Sequence, residues 1–226
     1  MRKISVKNLL LFRYKSPKGK RNFANNLKLP LKPKPDGTNG GNYWVRSLSA
    51  ICNSFKENNP DFMEDKITEI QREIVPGIAF RTKTMYDRNI KILDSFLGYD
   101  LSKLRPRKDI EILKKSPSHS VLTIKGLEIE ADSKSVYVFK DKKTGKIGAV
   151  WFIAKLNGLK KEELATYVDV LYRYLKENFS KGSELDLKYC IAVDVFTPQH
   201  LSYSTIETGR VTSLLDETLD EIRKLI

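Results

Sequence analysis

The sequence predicts an α/β (α+β) domain, a mixed sheet flanked by helices and preceded by a helical group. Three observations carry this. Between residues 42 and 97, successive segments repeat apolar residues at helical spacing before any convincing strand signal appears. After Pro117 the chain becomes rich in Val, Ile, Tyr and Phe and is broken by turn residues. A long helix pattern and a near-continuous apolar run, "LKYCIAVDVF", then follow, as expected of a strand covered on both faces.

Taken in order, residues 1–41 predict a basic extended arm with a short strand at "ISVKNLLLF". Within it, "LPLKPKPDGTNGG" places Pro30, Pro33 and Pro35 ahead of Gly37, Gly40 and Gly41, the composition of a polyproline-like piece and a turn. Residues 42–226 predict one domain, with a helical part over 42–115 and a sheet core over 116–226. The first helix runs from about Asn42 to Glu57, with Trp44, Val45, Leu48, Ile51, Cys52 and Phe55 on its stripe. Asn59-Pro60 opens a second, which Pro76-Gly77 ends. A third covers Thr82 to Leu97 and closes at Gly98.

The segment "SVLTIKGLEIEADSKSVYVFKDKKTGKIGAVWFIAKL" breaks at Gly126 and at Lys143-Thr144-Gly145, which predicts three antiparallel strands, the last two in a tight hairpin. A helix over Lys160 to Asn178, the strand around Cys190 and a closing helix over Thr212 to Leu225 complete the order.

Charge is distributed unevenly. Of 41 Lys and Arg residues, 12 fall in residues 1–46 beside a single acid, Asp36. Such a segment attracts polyanions by releasing their counterions, and nucleic acid is the expected partner. Lys15, Lys18, Lys20 and Arg21 in and beside "SPKGKR" are the candidate phosphate contacts; the alternative is a solvated segment. No apolar run approaches the roughly 18 residues of a membrane span, and the expectation is a cytoplasmic protein without membrane contact. Two cysteines and two histidines form no zinc-ligand spacing, so Cys52 and Cys190 read as small buried hydrophobes.

Two strands carry candidate chemistry. In "GLEIEADSK", Glu128, Glu130 and Asp132 alternate with Leu127, Ile129 and Ala131. Three carboxylates on one face suit a hard divalent cation, while the plainer reading is a solvated polar face. In "KIGAVWFIAKL" both faces are apolar and the run ends in Lys155. That lysine either reaches water or stands beside an acid of the preceding hairpin strand. Asp194, inside an apolar strand, either caps a backbone turn or faces the site. His200 reads as a surface loop residue.

A hairpin with an acidic residue, a strand ending in lysine, a helix and another buried strand resembles the core of the PD-(D/E)XK nuclease superfamily, with the RecB-like and other exonuclease-like branches nearest in layout. The resemblance spans about residues 119–200 and implies a restriction-endonuclease-like sheet. It implies that Asp132 is the first metal-binding acid and that Lys155 assists the attacking water. It also matches "ELATY" to a Gln-x-x-x-Tyr helix motif, with Glu163 in place of glutamine and Tyr167 as the tyrosine. One departure matters: Ile153 occupies the position of the acid two residues before the lysine, and an alkyl group cannot ligate magnesium. Glu128, Glu130 or Glu163 is then the replacement, or catalysis is lost. The resemblance therefore implies nucleic-acid binding, of DNA before RNA, with phosphodiester hydrolysis using magnesium or manganese. The alternative is a catalytically inactive module acting through DNA or protein contacts.

Overall fold

The computed structural model describes residues 2–30, 43–106, 109–113, 120–131, 135–141, 144–179 and 183–226. It is an α/β structure with a five-stranded and a three-stranded sheet. The larger sheet has the order β2-β5-β6-β7-β8, formed by Glu111–Ile112, Ser135–Asp141, Thr144–Ile153, Glu184–Asp194 and Gln199–Ser202. Strand β6 lies at its centre, antiparallel to β5 and parallel to β7. The expected hairpin and the strand containing Cys190 thus flank one shared strand.

Both faces of β6 are covered. Ile147, Ala149 and Ile153 enter one apolar cluster with α6 (Lys161–Phe179), while Val150 and Phe152 enter another with α3 (Val45–Glu57), α4 (Asp61–Glu73) and α5 (Phe80–Leu97). Alternation along a strand produces this division. Gly148 is required where β6 passes Tyr137, because a Cβ there would lie 2.9 Å from that ring. The apolar stripes of α3 to α5 face inward, with three exceptions: Val45 on α3 and Phe62 on α4 are exposed, and Trp44 is half-buried just ahead of α3.

The sheet reading needs one correction. The described residues of 121–153 form four strands, not three, divided between two sheets. Val121–Ile124 (β3) and Leu127–Glu130 (β4) pair through a turn with Lys125 and Gly126 both at positive φ, the backbone that matches the twist of a two-residue hairpin. They join β1 (Ile4–Ser5), which runs parallel to β4.

The second correction concerns the arm. Val6–Arg13 forms α1 and Pro17–Lys28 forms α2, capped by Ser5 and Ser16, whose side chains accept from the Asn8 and Gly19 amides. Val6, Leu9, Leu10, Phe12 and Leu27 are buried in the cluster shared with α6 and α8 (Leu215–Leu225). Residues 2–30 are therefore part of the folded core. Most of the proline- and glycine-rich piece falls outside the described residues.

Two of the basic residues here have partners on α8, an acid-rich helix. Arg13 pairs with Glu217 at 3.0 Å and Lys20 with Glu221 at 2.7 Å. Both cysteines are buried, and among the described residues no helix is long and apolar enough to cross a membrane.

Candidate functional site

Lys155 lies just past the end of β6, where residues 154–160 connect the sheet to α6. This connection is held from two sides. Asp194, fully buried at the end of β7, accepts from the Leu159 amide at 2.7 Å, the Phe196 amide at 2.9 Å and the Thr197 hydroxyl at 2.6 Å. Of the two readings for Asp194, the structure selects the turn-holding one. The connection turns through Asn157 and Gly158, both at positive φ. A Cβ on Gly158 would lie within 2.8 Å of Asp194 and Thr197, so the loop packs closely over the buried carboxylate.

On the other side stands Glu163, in the first turn of α6 and only 2 % exposed. Its Oε2 accepts from the Lys160 amide at 2.9 Å and from Lys155 Nζ at 2.7 Å. Its Oε1 accepts from Lys155 Nζ at 2.9 Å and from the Tyr14 hydroxyl at 3.1 Å. The bond back to the Lys160 amide is the carboxylate half of a capping box, placed where the helix terminus favours negative charge. Burial alone would raise the Glu163 pKa, but Lys155, the Lys160 amide and Tyr14 together hold it below the ordinary carboxylate value.

These groups border a cleft of about 350 Å³ whose walls include Leu11, Tyr14, Trp44, Lys155, Leu156 and Tyr167. Tyr167 is buried against Trp151, ring centroids 5.1 Å apart, and burial raises its hydroxyl pKa well above the usual value. Lys155, Glu163 and Tyr167 line the same cleft.

The other site residues separate. Asp132 lies outside the described residues. Glu128 and Glu130 sit on β4 in the smaller sheet and line a different depression, with Arg2, Lys3 and Lys28; the expected face of carboxylates beside Lys155 is corrected accordingly. The cause is the division of the strands between two sheets. Lys15, Lys18 and Arg21 are exposed at the start and on the surface of α2, whereas Lys20 is engaged by Glu221 and lies 5.2 Å from the Phe12 ring centroid. His200 lies on β8, where it accepts from the Tyr99 hydroxyl or donates to it through Nδ1 at 2.6 Å, and it does not line the cleft.

The residue that sequence reasoning missed is Tyr14. It belongs to the segment read as an arm, although Val6, Leu9 and Leu10 already show helical spacing and Ser16-Pro17 marks a helix start. Among the described residues no group of three or more His, Cys, Asp or Glu side chains is arranged to hold a metal ion. Near Lys155 the carboxylate is Glu163, and a cation on it would compete with the ammonium already bound to both oxygens. No protein-family model, curated protein or solved structure matches the chain.

Proposed function

We propose that this chain is a nucleic-acid-binding protein built on a nuclease-like sheet, with DNA the preferred polyanion. The observation that carries the reading is the arrangement around β6, with an antiparallel hairpin partner on one side, parallel β7 on the other and Lys155 beyond its end. Exposed Lys15, Lys18 and Arg21 supply cations that the acids of α8 leave to solvent.

Binding without hydrolysis is the first reading, because Glu163 is committed to Lys155, Tyr14 and the cap of α6. Hydrolysis is the second, favoured by Glu163 standing beside Lys155 on the neighbouring helix; it needs Asp132 as a further acid. Titration calorimetry with magnesium and manganese, on wild type and Asp132→Ala, separates them when paired with a DNA cleavage assay. The first reading predicts no metal-dependent cleavage and no heat that Asp132→Ala removes. Cleavage abolished by both Asp132→Ala and Lys155→Ala would establish the second.

A further inference from the structure

We propose that the cleft beside Lys155 takes an unstacked base of single-stranded nucleic acid, with Tyr14 as the stacking platform. The proposal rests on the nucleic-acid reading above and names the form of nucleic acid that the cleft recognises.

Tyr14 is 62 % exposed, yet its ring is held in place. Its hydroxyl donates to Glu163 Oε1 at 3.1 Å, and Glu163 is itself fixed by Lys155 and the Lys160 amide. An aromatic face presented to solvent with its far end tethered loses little further freedom when a ligand stacks on it. Along the same cleft, Leu11 is 47 % and Leu156 41 % exposed. The wall offered to a ligand is thus apolar and aromatic.

The surrounding charge is cationic. Lys7 lines the cleft beside the Lys155–Glu163 ion pair, and Lys160 Nζ lies over the Tyr14 ring, 5.8 Å from its centroid. Glu163, the acid in the lining, is already neutralised by its ion pair with Lys155. An apolar face with lysines at its edge complements a base carrying a phosphate. The volume falls near the lower end of ligand pockets, about 300–1,000 Å³. A duplex keeps its base faces stacked internally and offers none without paying to unstack, so a single strand is the fitting partner. Glu163 and Lys155 act here as positioning residues for Tyr14.

The test measures binding of oligothymidylate and of a duplex, with 2-aminopurine in the single strand reporting stacking. Wild type, Tyr14→Phe and Tyr14→Ala are compared, with circular dichroism confirming that each folds. Tyr14→Ala is expected to weaken single-strand binding about 5- to 100-fold and abolish 2-aminopurine quenching, with duplex binding and the salt dependence unchanged. Tyr14→Phe keeps the ring and is expected to stay within a few-fold of wild type. Equal single-strand binding by wild type and Tyr14→Ala overturns the platform while leaving the nucleic-acid reading intact. If wild type binds neither strand nor duplex at low salt, both fall. If Tyr14→Ala instead loses binding to phosphatidylglycerol vesicles and keeps its oligonucleotide, the occupant is an anionic lipid and the proposal fails.

Discussion

Glu163 and Asp194 clamp the same connection between β6 and α6 with different chemistry, and each makes a distinct prediction. Asp194 gathers three donors in a fully buried position. Replacing it with alanine leaves two amides and a hydroxyl without their acceptor, and the expected loss is about 3 kcal/mol in urea unfolding. Gly158→Ala adds a Cβ at φ +78 against Asp194 and Thr197, with an expected loss of about 2 kcal/mol. The Glu163 pair makes a prediction in pH. A carboxylate whose folded pKa is depressed contributes stability above its unfolded value, about 4.5, and loses it as pH falls through the lower folded value. Lys155→Ala removes a main cause of that depression. Thermal melts should therefore show the largest gap between wild type and variant near neutral pH, closing as the pH falls below about 4. A constant gap across that range would show that the pair carries no such linkage. Lys155 was legible at this scale, because a lysine ending a doubly apolar strand is unusual. Glu163 was legible through its place in "ELATY", whereas its hydrogen bond from Tyr14 depends on a contact between residues 149 positions apart.

The helices and strands show where local pattern suffices and where it fails. Helices α3 to α6 follow their apolar stripes to within a few residues, since burial of one face is what stabilises such a helix. Helices α1 and α2 were obscured by charge: lysines and arginines dominate α2, and the acids that receive two of the charges here lie on α8, some 200 residues away in sequence. The helix starts themselves, at Ser5 and Ser16-Pro17, were present in the sequence. The division of the strands between two sheets was beyond local reading, because it depends on β1 pairing with β4. This account makes the N-terminal helices structural. Phe12→Ala, at a fully buried site touching Phe23, is expected to cost about 3–5 kcal/mol. A detachable arm would tolerate the same change with no shift in the denaturation midpoint.

At the scale of the molecule, helices cover both faces of a mixed sheet, and the end of β6 meets α1 and α6 at the cleft. The lining residues come from chain regions far apart in sequence, so only the assembled fold brings them together. Much of the formal charge of +13 is concentrated in the first fifth of the sequence; part of it is spent inside the fold on α8, and Lys15, Lys18 and Arg21 remain at the surface. The central claim is that this surface binds nucleic acid. The measurement that tests it most directly is the affinity for a labelled DNA, by fluorescence anisotropy, across a range of salt concentrations for wild type and the triple variant Lys15→Ala, Lys18→Ala, Arg21→Ala. The account predicts that binding weakens linearly on a log–log plot and that the triple variant's slope is shallower by about 2 to 3. Absence of binding at low salt, or a slope that the triple substitution leaves unchanged, would contradict it.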